Sequence, residues 1–385
     1  MASAAAVEAK AATDWHGVLA HIALLLVTLA PALPPPLGTA LPTSANIVLT
    51  ASLAVYVGSY RSVKTKAGDK GDKGLDTSEM GVMEKGDALR FPLVGSCVLL
   101  SLFLAFKFLP KEWVNRVITV YFLVLGILAL AGTLTPVVEP YLPAKWRDIP
   151  VGLTGRKIKI PLLMDEPEEL ACSVTELVAG LLASPMVIYY VMTKHWLANN
   201  ALGLAFCVQG LEMLSIGSFK VSAILLAGLF VYDVFWVFGT PVMVDVAKNV
   251  DAPIKLLFPR LAAEGEPAFS MLGLGDIVIP GIVVALLLRF DAARGRHSPR
   301  NQTTFRAAFV GYVLGLALTI VVMNVFDAAQ PALLYIVPGV MGATFCNALA
   351  RGEFKELLEY DETPEDEDED EGDGKEASKE QKKEQ

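Results

Sequence analysis

Residues 221–246, VSAILLAGLFVYDVFWVFGTPVMVDV, form a run without a basic residue between Lys220 and Lys248. Crossing the hydrocarbon core of a bilayer takes about 20 mostly apolar residues in a helix, so this stretch reads as a transmembrane span. Eight further charge-poor runs surround it, at 43–60, 91–109, 113–134, 173–193, 199–217, 272–290, 307–327 and 331–350. Over its 385 residues the chain is 54% hydrophobic and 19% charged, below the ~25% charge of soluble domains, which excludes a soluble enzyme. Backbone exposed to lipid must bond to itself, so the expectation is an all-α polytopic membrane protein with about nine transmembrane helices.

The same map divides the chain. Residues 1–42 are an N-terminal segment holding a tenth apolar run at 15–33, which fits a signal-peptide core, an extra span or a helical hairpin. Glu8 and Asp14 against a single Lys10 lack the positive start of a signal peptide. Residues 43–217 form a first bundle of five spans with loops at 61–90 and 135–172, residues 218–350 a second bundle of four, and 351–385 a tail. Alternate connections carry 18 Lys/Arg against 7, and the positive side faces the cytosol. The tail is therefore expected in the cytosol, and the sequon Asn301-Gln302-Thr303 on a side where it is not glycosylated. The 61–90 loop, with Gly-Asp-Lys repeated from Gly68 and Gly71, reads as a flexible linker.

Residues 351–385 hold 16 Asp/Glu and 6 Lys/Arg against a whole-chain net charge of −9, so the acidity is confined to the tail and no basic nucleic-acid footprint exists. So acidic and simple a segment cannot bury a core and is expected to be disordered. Lys382 and Lys383 near its end resemble the dilysine retrieval signal of endoplasmic reticulum membrane proteins, which would make a retrieval coat a partner; the alternative is solubilising charge. Cys97, Cys172, Cys207 and Cys346 lie in or beside apolar runs without CxxC spacing, so neither a disulfide framework nor a zinc site is expected, and no cofactor is implied.

Asp233 sits near the middle of the opening run, and Asp276 early in the next, within Gly273-Leu274-Gly275-Asp276. A carboxylate inside a span marks function by default, although each alone is equally a packing hydrogen bond or a proton-relay site. Successive spans are antiparallel, so the two acids can face each other. Counted as unbroken helix, Asp233 lies ~22 Å from Lys248 and Asp276 ~10 Å into its span. The depths match only if the chain entering the second span is partly extended, at ~3.3 Å per residue, which Gly273 and Gly275 favour. Two carboxyls in contact share one proton; one then takes a proton from water while the other protonates the scissile carbonyl, as in aspartic proteases. Pro331-Ala332-Leu333, which follows Gln330 and opens the last span, is either a helix cap or a turn shaping the site. A substrate helix must unwind before it is cut, and an extended segment needs strand-like partners.

In order along the chain, Tyr232-Asp233, Gly273-Leu274-Gly275-Asp276 and Pro331-Ala332-Leu333 resemble the signature of the intramembrane aspartyl proteases. The longer strings YDVFWVFGT (232–240), KHWLANN (194–200) and QPALLY (330–335) resemble the signal peptide peptidases rather than the related presenilins. This resemblance covers residues 43–350. It implies a presenilin-like fold of nine spans in the endoplasmic reticulum membrane and Asp233 and Asp276 as catalytic residues. Substrate contacts are then expected from Tyr232, Gly273, Leu274, Gly275, Pro331, Ala332 and Leu333. The implied reaction is endopeptidase hydrolysis within transmembrane segments, namely signal-peptide remnants and type II membrane proteins. The charge count sends the aspartate-bearing spans out and back from the cytosol, opposite to presenilin, which fits substrates of inverted orientation.

Paired intramembrane acids and glycine-broken helices also make proton-coupled transporters and cation channels, and a third alternative is a scaffold that captures membrane helices without cutting them; the ordered motifs disfavour all of these. No HExxH or GxSxG motif occurs, so the corresponding zinc and serine chemistries lack their residues. His195 reads as an interfacial residue. Glu212 reads as the partner of a neighbouring helix or part of a hydrated path, and Gly311-x-x-x-Gly315 as internal packing or the contact of a homo-oligomer.

Overall fold

The computed structural model describes residues 19–32, 41–63, 81–83, 85–143, 150–158, 168–260, 268–326 and 328–362. Its helices are α1 (Leu19–Ala32), α2 (Thr43–Arg61), α3 (Lys85–Phe108), α4 (Lys111–Val138), α5 (Val174–Thr193), α6 (Trp196–Met213), α7 (Phe219–Phe238), α8 (Val242–Asn249), α9 (Gly275–Ala293), α10 (Thr303–Phe326), α11 (Leu333–Arg351) and α12 (Phe354–Glu359). Three two-stranded sheets sit in the connections. β1 (Gly81–Met83) runs parallel to β4 (Leu214–Ile216), β2 (Pro150–Ile158) antiparallel to β3 (Glu168–Ser173), and β5 (Lys255–Arg260) antiparallel to β6 (Ala268–Gly273). The all-α class stands.

Local chemistry sets the helix ends. Ser173 opens α5 as half of a capping box with Glu176, and the Ser218 hydroxyl accepts the Val221 N–H at the start of α7. α11 stops at Gly352, whose φ of +69° only glycine adopts without strain.

Helices α3, α4, α5, α7, α10 and α11 are long and apolar enough to cross a membrane. The other three expected spans, α2, α6 and α9, are the more enclosed ones: fourteen residues of α9 are buried against two of α3. A helix that faces protein on all sides can carry polar groups if each finds a partner. Glu212 on α6 meets the Arg61 guanidinium of α2 at 2.8 Å, and Arg61 also donates to the backbone oxygens of Gly132 and Thr133 on α4. Glu212 is thus a helix partner. Gly311 and Gly315 are consumed by packing within the chain: a Cβ on Gly315 would fall 2.7 Å from the Ile336 Cα of α11. The apolar run 15–33 is helical from Leu19, buries Ala20 and Leu24 in the main core, and has its Val27 carbonyl bonded by the Asn46 amide of α2.

Four expectations are corrected. The span 221–246 is not continuous: α7 ends at Phe238, and Gly239-Thr240-Pro241 separates it from α8, because glycine and proline both weaken helix and Pro241 has no N–H to give. The 61–90 connection is not linker throughout, since β1 pairs with β4 and α3 begins at Lys85; residues 64–80 lie outside the described residues. The 135–172 connection likewise contains the β2–β3 pair.

The tail gives the fourth correction. Residues 351–362 are built into the fold: α12 packs on α7 and α11, Asp361 bridges to Ser218, and Glu362 reaches the interior. There its carboxylate receives the Nε of Arg289 at 3.0 Å, with both side chains almost fully buried. Arg289 also donates to the hydroxyls of Ser62 and Ser215, and the Tyr360 hydroxyl donates to Glu362. A charged residue in an acidic tail is ordered here because a buried guanidinium needs it. Lys382 and Lys383 lie outside the described residues.

Removing one partner of a buried pair strands the other charge, at a cost of about 3–5 kcal/mol. Glu362→Ala is therefore expected to lower the unfolding temperature clearly in detergent, and Arg289→Met with Glu362→Leu to recover most of the loss. Thermal scans in which Glu362→Ala matches wild type would show that the pair contributes nothing.

Candidate active site

Asp233 lies five residues before Phe238, the last residue of α7, or ~8 Å of helix. Asp276 is in the first turn of α9, which follows directly on the extended β6. The depths of the two acids therefore agree from both sides. The extension expected before Asp276 is present, and the break at Gly239 brings the end of α7 close to Asp233. The carboxyls lie within electrostatic reach of each other.

The Asp233 carboxyl is buried, and its Oδ2 accepts the Leu333 N–H at 2.9 Å. That N–H belongs to the first turn of α11, one of the donors a helix cannot satisfy internally. An aspartate from another helix thus caps α11. Pro331 turns the chain into that helix with a fixed φ and no N–H of its own, and Pro331, Ala332 and Leu333 are all buried. Pro331-Ala332-Leu333 is therefore a cap after all, but one whose unsatisfied N–H is taken by the acid.

Gly273 lies against Asp276: a Cβ there would sit 3.4 Å from its Oδ2. Gly275 is less confined, with Ile279 the nearest neighbour at 3.8 Å from such a Cβ. Leu274 donates its N–H to the Ile254 carbonyl, and its side chain packs towards Gly203 of α6. The Tyr232 ring closes the seam between α7 and α3, 3.7 Å from where a Cβ on Gly95 would be. Of the seven residues expected to meet substrate, Gly273 and Leu333 adjoin the carboxyls, while Tyr232 and Leu274 are engaged in packing.

The β5–β6 hairpin beside Asp276 rests on residues not singled out from the sequence. On α6 the Asn199 amide donates to the Lys255 carbonyl at 2.7 Å. The Asn200 amide both donates to the Leu257 carbonyl and accepts the Leu257 N–H, at 2.8 and 2.7 Å. Asn200 so completes one edge of the hairpin as a further strand would. Because Leu257 spends both backbone groups on Asn200, its pair with Met271 is a non-hydrogen-bonded one. The Met271 N–H and C=O must then point the other way, to the outer edge of β6. Two adjacent asparagines in an apolar run were the available signal, since buried amides are seldom left unbonded. His195, beside them, caps α6 by accepting the Leu197 N–H. Among the described residues no cluster of His, Cys, Asp or Glu could hold a metal ion.

A pair of carboxyls at the meeting of a helix end, a helix start and a hairpin edge is the arrangement that a membrane hydrolase of the aspartic type requires. Comparison with known proteins agrees. The sequence matches the signal peptide peptidase family over residues 75–364. It is 42% identical over 328 residues to signal peptide peptidase of Mus musculus, across 83% of this chain and 82% of that protein, and equally identical to that of Homo sapiens, across 83% of each. Intramembrane protease 2 of Caenorhabditis elegans is 45% identical over 201 residues, 49% of this chain and 43% of that one. The chain belongs to the signal peptide peptidase family and is an intramembrane aspartic protease. The transporter, channel and scaffold alternatives fall away.

The crowding at Gly273 separates two neighbouring glycines. Gly273→Val puts a branched side chain against the Asp276 carboxyl and is expected to lower cleavage roughly tenfold or more, whereas Gly275→Ala, whose methyl meets Ile279 only at ordinary contact distance and favours helix, stays within about twofold of wild type. Equal losses in a peptide-cleavage assay would remove the role given to Gly273.

Proposed function

We propose that Asp233 and Asp276 are the catalytic pair and that the peptide to be cut lies as an added strand along the outer edge of β6. The observation that carries this is the capping of α11 by Asp233, which accepts the Leu333 N–H within reach of Asp276, next to an edge whose backbone groups at Met271 face outward. The pair holds one proton. The ionised carboxyl removes a proton from water as its oxygen attacks the scissile carbonyl carbon, and the neutral carboxyl gives its proton to the carbonyl oxygen. Collapse of the resulting diol returns a proton to the pair, delivers one to the amide nitrogen and breaks the C–N bond. Which aspartate holds the shared proton is a property of the pair. Tyr232, Gly275, Pro331 and Ala332 act by shaping this site rather than by touching the reacting atoms.

The substrates in this reading are signal-peptide remnants and type II membrane segments, after the name that the relatives carry and the inverted course of α7 and α9. The enzyme resides in the endoplasmic reticulum with its tail in the cytosol, where Lys382 and Lys383 would meet a retrieval coat. Helices α2, α6 and α9, of 19, 18 and 19 residues, complete nine spans, since ~1.5 Å per residue gives them close to the thickness of the hydrocarbon core.

In proteoliposomes with a labelled signal peptide, Asp233→Ala and Asp276→Ala are each expected to fall below roughly a tenth of wild-type cleavage, because a lone carboxyl cannot be acid and base at once. Higher activity in either variant would dismiss the pair. Met271→Pro tests the edge separately. Proline is tolerated where its missing N–H faces away from the sheet, so the hairpin and both aspartates survive while cleavage drops roughly tenfold or more through one lost substrate bond and a blocked approach. Unimpaired cleavage by Met271→Pro would rule out the added strand.

A further inference from the structure

An open pocket of about 400 Å³ lies between α2 and α10, at the end of the bundle opposite the aspartates. Tyr56, Phe309 and Val310 make an apolar wall, Phe305 continues it, and Arg300 and Arg306 stand at the rim. The wall is a fixed aromatic stack, with Phe309 centred 5.8 Å from both Phe305 and Tyr56, and the Tyr60 hydroxyl is tied to Gln302. Polarity changes along the helix axis: Arg306 is in the first turn of α10, and Val310 lies one turn further towards the middle of the bundle.

Both rim guanidiniums are exposed, and neither has an ion-pair partner among the described residues. Among the described residues, Asp291, Glu353 and Glu362 at this end are engaged elsewhere. Asp291 accepts the N–H groups of Thr304 and Phe305 and pairs with Arg296, Glu353 holds Arg294, Arg296 and Arg351, and Glu362 holds Arg289. The N-terminus of α10 is thus already capped, and the cations that face the pocket are the side chains of Arg300 and Arg306.

We propose that this pocket binds an anionic phospholipid of the surrounding bilayer, its phosphate between Arg300 and Arg306 and an acyl chain along Tyr56, Phe309 and Val310. Arginine matches phosphate with paired N–H donors, and the order of charge outside and hydrocarbon inside is that of a lipid in one leaflet. A soluble anion would use the rim and leave the aromatic wall bare. The acidic stretch of the tail has charge for the rim but no hydrocarbon for the wall.

The test uses the full chain in mild detergent, supplied with equal phosphatidylserine and phosphatidylcholine, with retained lipid read by native mass spectrometry. Wild type is expected to hold phosphatidylserine in preference by roughly tenfold. The preference is expected to vanish in Arg300→Gln with Arg306→Gln, and total retention to fall in Phe309→Ala. Arg90→Gln, an exposed cation on α3 at the same end, should keep both. The arginine variants are at exposed positions and keep the fold, which a thermal scan verifies. Equal holding of the two lipids by wild type, an unchanged preference in the double variant, or displacement of the lipid by inorganic phosphate would each overturn the proposal, the last by assigning the rim to a free anion.

Discussion

No backbone group can face hydrocarbon unpaired, and a protease that cuts a peptide within the membrane has to relax that rule in one confined place. The bundle confines the relaxation by pairing backbone groups on the other sides of the site. Asn199 and Asn200 occupy one edge of the β5–β6 hairpin, Leu274 is bonded to Ile254, and the free N–H at the start of α11 is taken by Asp233. What is left is the other edge of β6, beside Asp276. In the proposed added-strand mode, an unwound segment would gain at that edge the hydrogen bonds it lost on leaving its own helix, which would lower the cost of unwinding beside the carboxyls.

α9 joins this reactive end to a rigid one. Asp276 is in its first turn and Arg289 thirteen residues on, ~20 Å along the axis. A buried ion pair is often no more stabilising than apolar side chains of the same size, so Arg289 and Glu362 are poorly explained as a source of stability alone. Their geometry explains more. Arg289 must reach Ser62 after α2, Ser215 on β4 and Glu362 in the tail at once, and a one-residue slip of α9 would rotate the guanidinium by about 100° away from all three. The same slip would turn Asp276 from Asp233. The network is well suited to fixing the register on which the distant carboxyl pair depends.

Reading the sequence recovered what depends on the solvent and missed what depends on partners. Every one of the nine apolar runs contains a long helix, because burial of an apolar run needs only its composition. The two aspartates, and the extended chain before the second, were legible because a charge in such a run is costly and glycines mark the bend. The break at Gly239-Thr240-Pro241 was also written in residue types, yet the uninterrupted apolarity on both sides concealed it. Nothing in the acidic tail announced that Glu362 differs from the carboxylates after it. That difference exists only because Arg289, 73 positions away, is fully buried and bonds to it. Likewise the N–H of Leu333 became part of the site through its partner rather than through its side chain.

Polarity within the bundle explains which helices composition alone identifies. The six that qualify as spans by length and apolarity include the outer α3, α4 and α5, whose large apolar side chains stand exposed. α2, α6 and α9 do not qualify, and they carry Asn46, Asn199, Asn200, Glu212, Asp276 and Arg289. Lipid selects for hydrocarbon on whatever touches it, whereas a helix surrounded by protein is free to hold the groups that bond, cap and react. Apolarity alone therefore identifies the shell of this enzyme and, of the two aspartate-bearing helices, α7 but not α9, where Asp276 at one end and Arg289 and Asp291 at the other are the charges that set it apart, the latter two being paired groups that hold the helix in place.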